Sequence, residues 1–163
     1  MRRAAAILLW LAGAGAAVAG PRFAAHPTPA EIVRSLAEAG PRATVDALWA
    51  EGRWDWVSER IGAGDAAFVA LAPRLAAGAD AGTAEDLPIA LAFALPRNAP
   101  AVLAAIEDGG FDAGEVCGAP FIEDTVSDIP AYRRRAAAAV QAVADPKLAD
   151  VKTACLAALA QID

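Results

Sequence analysis

The sequence predicts an all-α protein, with a single domain of seven or eight short helices over residues 28–163. Apolar residues recur along most of the chain at the three- and four-residue spacing of amphipathic helices. Glycine, proline and asparagine interrupt these segments at short intervals, and no convincing period-two alternation indicates a strand. Because tight connections place consecutive helices antiparallel, we expect helical hairpins in an α-solenoid or an irregular bundle, with one structured loop and one disulfide.

The N-terminus has the layout of a secretory signal peptide. A basic start at 1–3 precedes an uncharged apolar stretch over 4–18, which is shorter than the roughly 20 residues needed to cross a bilayer. We expect cleavage after Ala19, which would leave 144 of the 163 residues, beginning with a flexible leader over 20–27. The abundance of alanine and arginine suggests a GC-rich bacterial genome, so the expected location is the periplasm. Release into the medium and an uncleaved N-terminal anchor are the alternatives.

Charge restricts the expected partners. Without the signal peptide the chain has 12 basic and 20 acidic side chains, so a phosphate backbone should repel it and nucleic acid is not expected. No later segment is a candidate membrane span. The expected partner is another protein of the cell envelope, and we expect no cofactor and no metal.

The predicted helices of the first two thirds are bounded by capping and breaking residues. A Thr-x-x-Glu capping box at 28–31 begins the first helix, Asp65 caps the fourth, Thr83 with Asp86 caps the fifth, and Asn98 caps the sixth. Pro73 should kink the fourth helix or end it early. The fifth helix is apolar nearly all round and is expected at the centre. The predicted ranges are 28–40, 42–51, 54–61, 66–77, 85–95 and 98–108.

The helical pattern stops over 111–129, which we interpret as an ordered loop with at most one helical turn. Two further helices are predicted, one over 130–144 with Asp128 as its cap and one from 145 to the end. The chain also contains a weak internal similarity at an offset of 34 positions, in which two of twelve aligned residues are identical. Stacked helical hairpins are therefore possible but are not established by the sequence.

The two cysteines after the signal peptide, Cys117 and Cys155, predict a disulfide in an exported protein. Two free buried thiols, or a metal or nucleophile role, are the alternatives. There is no C-x-x-C, and the single histidine, His26, lies in the leader and is expected to be solvated. Phe121 and Ile122 are expected to pack beneath the bridge.

The sequence contains no catalytic signature such as a phosphate loop, G-x-S-x-G or H-E-x-x-H. Asp55 and Glu59 are four positions apart and share a helix face, which could serve a carboxylate-dependent enzyme. An enzyme would need them to line a deep cleft together with a third polar group. We favour a solvated face. Asp80, Glu85 and Asp86 surround a turn and are interpreted as capping residues.

The tryptophans give a candidate binding patch. Trp49 and Trp54 are predicted to lie in the core, because large aromatic side chains dominate core burial. Trp56 is off the Trp54 face, and Arg60 lies four residues further on, so its guanidinium could stack on the Trp56 ring at the surface.

The second part of the candidate patch consists of three consecutive arginines: Arg133, Arg134 and Arg135. They lie near the start of a helix, where the helix dipole disfavours cations. Pairing with Glu123, Asp124 and Asp128 of the preceding loop is the interpretation we favour. An anion-binding or partner-binding patch is the alternative.

Two segments, 79–87 and 94–103, resemble uncharacterised small exported helical proteins of proteobacteria, over about residues 40–125. The shared residues belong to turns and caps, and the resemblance implies no known reaction and no known site. A looser likeness, without matched residues, is to periplasmic immunity proteins that neutralise toxins secreted by rival cells.

We therefore expect a periplasmic, non-catalytic helical domain that binds another protein or has a structural role. A periplasmic immunity protein is one alternative. A cell-envelope enzyme that uses carboxylates such as Glu59 is the other.

Overall fold

The computed structural model describes residues 20–122 and 125–162. The predicted signal peptide lies outside the described residues, as do Glu123 and Asp124 of the loop. The described chain is helical with no strand, so the predicted all-α class is confirmed. The helices are α1 Pro29–Glu38, α2 Gly40–Ala50, α3 Trp54–Gly62, α4 Ala66–Val69, α5 Ala72–Ala76, α6 Ala81–Ala94, α7 Ala99–Glu107, α8 Ala113–Cys117, α9 Ile129–Gln141 and α10 Ala149–Ala160, with a 3₁₀ turn at Pro146–Leu148 before α10.

Local capping chemistry explains most of the helix starts. The Thr28 hydroxyl accepts the Glu31 N–H and the Glu31 carboxylate accepts the Thr28 N–H, which is the predicted capping box. Asp65, Asn98 and Asp128 cap α4, α7 and α9 as predicted. These boundaries depend on residues within one turn of the helix end, so the sequence alone contains the signal.

The helix expected over 66–77 is divided into α4 and α5 just before Pro73, which confirms the predicted kink or early end at this proline. The fifth predicted helix begins at Ala81 and not near 85, so its predicted start is wrong. The Thr83 hydroxyl accepts the Asp80 N–H at 2.9 Å, and α6 therefore starts after Asp80 and includes Pro88 in its interior.

The helices pack as hairpins, several of which stack side by side. α1 packs on α2, and α9 packs on α10 with the start of α9 against the end of α10, where Arg133 Nη1 donates to the Ile162 carbonyl at 2.5 Å. α3 packs on α6, and α4 packs on α7. α3 and α6 run parallel, because Trp54 contacts Asp86 at one end and Gly62 approaches Phe93 at the other.

One hydrophobic core runs through the stack. α6 contacts α3, α5, α7 and α8, which confirms its predicted central place. The largest fully buried side chains come from α1, α2, α3, α5, α6, α7 and α10, and from Leu95 directly after α6: Trp54, Ile32, Leu48, Ile61, Leu75, Leu87, Leu91, Leu95, Leu103, Leu159, Val45 and Val57. Within the two described ranges, every helix is too short or too polar to cross a membrane.

Candidate functional site

The predicted disulfide is present. Cys117, at the end of the single-turn helix α8, is bonded to Cys155 on α10, with a Cα–Cα distance of 5.3 Å. Both side chains are fully buried. The Asp112 carboxylate accepts the Gly114 N–H at 2.7 Å and caps α8, so a short helix that is marginal alone is held at both ends. The loop containing Cys117 is therefore a structural staple.

The residues after the bridge join the loop to two other helices. The centroid of the Phe121 ring lies 4.8 Å from that of the Phe93 ring of α6. It lies 4.7 Å from the centroid of the Tyr132 ring of α9, which it meets edge-on. The Tyr132 hydroxyl donates to the Ala92 carbonyl at 3.0 Å, and burial raises the pKa of this phenol. Ile122 is 69% exposed, so its predicted place beneath the bridge is wrong. Phe121 contacts both Phe93 and Tyr132, whereas Ile122 faces solvent.

The two tryptophans predicted in the core have different surroundings. Trp54 is 1% exposed, and its indole Nε1 donates to Asp86 Oδ2 at 2.9 Å. Trp49 is 58% exposed, so its predicted burial is wrong. The buried stripe of α2 consists of Thr44, Val45 and Leu48. The stripe is therefore centred on the side of Thr44, which leaves Trp49 at its outer edge.

Trp56 and Arg60 lie together, as the sequence predicted. The Arg60 guanidinium carbon is 5.8 Å from the Trp56 ring centroid and 5.8 Å from that of Phe68. Arg60 Nη2 also pairs with Asp65 Oδ2 at 2.5 Å, and this hydrogen bond lowers the pKa of the Asp65 carboxyl. The exposed His26 ring lies 4.3 Å from the Trp56 ring. Both members of this part of the candidate patch therefore already have partners within the chain.

The leader that carries His26 makes further contacts with the helical domain. The Phe23 N–H donates to Glu51 Oε2 at 2.9 Å, and its ring packs partly against the core. Pro27 is buried. Residues 20–27 thus lie along the surface formed by the ends of α2 and α3.

The three arginines of α9 are placed differently from one another. Arg133 is half-buried and donates to the Ile162 carbonyl, whereas Arg134 and Arg135 are exposed. The Asp128 carboxylate accepts the Ala131 N–H at 2.7 Å, and the three ion pairs between described residues leave out all of these arginines. The predicted pairing with Glu123 and Asp124 lies outside the described residues. α9 packs on α10 and α7, whereas α3 packs on α6 and α4, so the two parts of the candidate patch lie on different hairpins.

A groove of about 600 Å³ lies between α3 and α6 and is open to solvent. It contains Asp55 and Glu59, the carboxylate pair of the sequence analysis, and adds a third carboxylate from α6. We call it the α3–α6 groove, and its lining residues are Asp55, Ser58, Glu59, Gly62, Ala63, Asp86, Ile89, Ala90, Phe93 and Arg97.

Sequence reasoning missed the α6 half of this groove. Asp86, Ile89, Phe93 and Arg97 recur at three- and four-residue spacing, so their common face was visible in the sequence. The pattern could not show that this face lies beside α3, because the choice of neighbouring helix is a long-range property. Asp86 had been interpreted as a capping residue. It is instead the acceptor for the buried Trp54 indole.

The groove combines carboxylates, one hydroxyl and one guanidinium with apolar side chains. Asp55 and Glu59 are exposed, and Asp86 is half-buried. The buried Ser58 hydroxyl has no hydrogen-bond partner among the described residues. No group of three metal-ligating side chains in the described ranges is placed to hold a metal ion. Ile89, Ala90 and Phe93 supply an apolar floor between the charged residues.

Fold and groove together define a small disulfide-stapled helical domain with an open, charged groove. Comparison with protein-family models, curated proteins and solved structures finds no match.

Proposed function

We propose that this protein is an exported, periplasmic domain without catalytic activity, which binds a segment of another cell-envelope protein in the α3–α6 groove. The observation that carries the proposal is the open groove itself, with an apolar floor flanked by charged side chains. Binding sites combine apolar contact area with a few polar groups that orient the ligand. A groove that is open to solvent suits a chain segment, whereas small-molecule sites usually enclose most of the ligand.

The periplasmic location is supported by two features. The first 19 residues have the composition of a signal peptide. The buried Cys117–Cys155 bridge belongs to a class of bond that persists in oxidising compartments. Mass measurement of the protein from a periplasmic extract should give a chain that begins at Gly20, without alkylation of either cysteine until it is reduced.

A carboxylate-dependent enzyme is the second candidate, since Asp55 and Glu59 share the groove with Asp86 and the unpartnered Ser58 hydroxyl. Catalytic carboxylates usually act in water-excluded surroundings, where fixed charges and dipoles have their largest effect. Asp55 and Glu59 are both exposed in an open groove. This exposure is the reason that we favour binding. An immunity protein would be a special case of the binding proposal, with a secreted toxin as the partner.

The proposal is tested by capture from a periplasmic extract with the tagged full chain and two matched variants. Ile89→Gln removes apolar floor from the groove and leaves the half-buried position polar. Val33→Gln removes an apolar side chain that is 41% exposed on α1, away from the groove. We expect quantitative mass spectrometry to find a protein that the wild type and Val33→Gln enrich and that Ile89→Gln loses.

Equal enrichment by Ile89→Gln and the wild type would overturn the proposal. An activity would overturn it too, if the purified protein releases soluble fragments from cell-wall polysaccharide and Glu59→Gln abolishes the release. In that case the enzyme candidate replaces the binding protein.

A further inference from the structure

The α3–α6 groove is polarised along its length. α3 and α6 run parallel, so Asp55 and Asp86 both lie near its N-terminal end and Glu59 follows one turn later. Arg97 lies just beyond the C-terminal end of α6, near Gly62. One end of the groove is therefore acidic and the other end is basic.

Within residues 20–122 and 125–162, none of these charged side chains forms an ion pair. The three ion pairs between described residues involve none of Asp55, Glu59, Asp86 and Arg97. Arg97 Nη1 donates to the carbonyl oxygens of Phe93 and Gly62, which are neutral acceptors. These bonds hold the guanidinium at the groove and leave its charge without a carboxylate partner in the described chain.

The distance between the two ends fits a short extended peptide. From Asp55 to Gly62 the helix advances by seven residues, which is about 10 Å at 1.5 Å per residue. An extended chain covers about 3.3 Å per residue, so three or four residues reach from the acidic end to Arg97. Ile89 and Phe93 lie between the two ends and can contact an apolar side chain of that segment.

We propose that the groove recognises an extended peptide segment of the partner, with a lysine or arginine at the acidic end and a carboxylate three or four residues later at Arg97. The inference rests on the proposed binding function and adds the chemistry and direction of the bound segment. Guanidinium groups are suited to carboxylates because their planar donors can bind both oxygens. The carboxylate can be a chain terminus or an acidic side chain.

The test measures fluorescence anisotropy of labelled peptides with the full protein at low salt. The first probe is the N-terminally labelled peptide Lys-Ala-Leu-Ala with a free C-terminus. A second has an amidated C-terminus, a third has an amidated Glu in the last position, and a fourth has Gln in place of Lys. Exposed charge pairs typically contribute 0.2–1 kcal/mol, so each lost pair should weaken binding by roughly 1.4- to 5-fold.

Matched protein variants assign each effect to a residue. With Arg97→Gln, the free-acid and amidated peptides should bind equally. With Glu59→Gln, the Lys and Gln peptides should differ less than they do with the wild type. Arg74→Gln and Glu107→Gln change exposed charges outside the groove and should leave both differences unchanged. These controls separate local recognition from the general attraction of an acidic protein for a cation.

If the amidated Glu peptide binds as tightly as the free-acid peptide, Arg97 accepts either a side-chain carboxylate or a chain terminus. If only the free-acid peptide binds, the groove is specific for a chain terminus. The proposal is overturned if the free-acid peptide fails to bind at millimolar concentration, or if Arg74→Gln and Glu107→Gln act as strongly as the groove variants. Failure of this test leaves the proposed function standing when Ile89→Gln still abolishes partner capture. If the peptide does not bind and Ile89→Gln also captures the partner as well as the wild type does, both proposals are overturned.

Discussion

Removal of the Cys117–Cys155 bridge should lower the free energy of unfolding by about 4 kcal/mol. The two cysteines are 38 positions apart, and in the chain-entropy model a crosslink that closes a loop of this size restricts the unfolded chain by roughly that amount at 25 °C. Native proteins are stable by about 5–15 kcal/mol in total. The bridge therefore accounts for a substantial part of the stability of this domain.

The assay compares three samples in urea by far-UV circular dichroism: the oxidised protein, the reduced protein and the double variant Cys117→Ala/Cys155→Ala. Reduction keeps the buried side chains almost unchanged, so the reduced protein isolates the effect of the crosslink. The double variant should lose somewhat more, because both sulfur atoms leave fully buried positions. Both should show a steeper dependence on urea, since an uncrosslinked chain exposes more surface on unfolding.

Two results would refute this reasoning. A change below about 1 kcal/mol on reduction would mean that the unfolded chain is already restricted without the bridge, or that the bridge strains the native loop by a similar amount. Alkylation of two thiols in the unreduced periplasmic protein would mean that the bridge does not form in the cell.

Two further predictions concern packing. Gly78→Ala should destabilise the protein strongly, because a Cβ there would lie 2.3 Å from the backbone carbon of Pro41. Gly82→Ala on α6 meets no atom within 4 Å and should be neutral or stabilising by up to about 1 kcal/mol; equal urea midpoints for the two variants would contradict this. The raised pKa of buried Tyr132 means that its contribution to stability is complete below the usual tyrosine pKa of 10.0 and falls as pH rises above that value, since the unfolded state ionises first. Urea midpoints between pH 8 and 11 should fall more for the wild type than for Tyr132→Phe, and parallel curves would refute the assignment.

The sequence predicted those elements whose signals are local. The side chains of Asp65 and Asn98 accept backbone N–H groups in the first turn of the helix that follows. A few residues of sequence were therefore enough to predict these two helix starts. At the start of α6 two capping patterns overlap, one at 80–83 and one at 83–86. Asp86 accepts a hydrogen bond from the indole of Trp54, which is 32 positions away in the sequence. Local helix propensity contains no information about such a contact.

The predicted burial of Trp49 was wrong for a related reason. The apolar positions of α2 are compatible with two neighbouring stripes, one containing Thr44 and the other containing Trp49. Thr44 is buried because its hydroxyl bonds to the Ser35 hydroxyl at 2.8 Å and to the Gly40 carbonyl. A paired polar residue can thus replace a larger aromatic residue in the core, and hydrophobicity alone gives the wrong order.

The groove is formed where two helical hairpins stack. The weak internal similarity at an offset of 34 positions suggested such stacking but did not establish it. Asn98 Nδ2 donates to the Gly64 carbonyl at 2.9 Å, 34 positions away, at the turns that precede α7 and α4. This bond joins equivalent points of the two segments and places the preceding helices, α3 and α6, side by side. Because the helices are parallel, residues at their N-terminal ends collect at one end of the groove and Arg97 lies at the other. The polarity of the groove is therefore a consequence of the stacking.

The stapled loop has a direct contact with this groove. Phe121 packs on Phe93, whose side chain lines the groove near Arg97, and Phe121 follows the bridge by four residues. Tyr132 closes the other side of the same ring. The disulfide therefore helps to hold the end of α6 through Phe121, and Phe93 contacts Phe121 while it also lines the groove. A bridge that stabilises the fold by restricting the unfolded chain also holds the basic end of the groove in place in the folded protein.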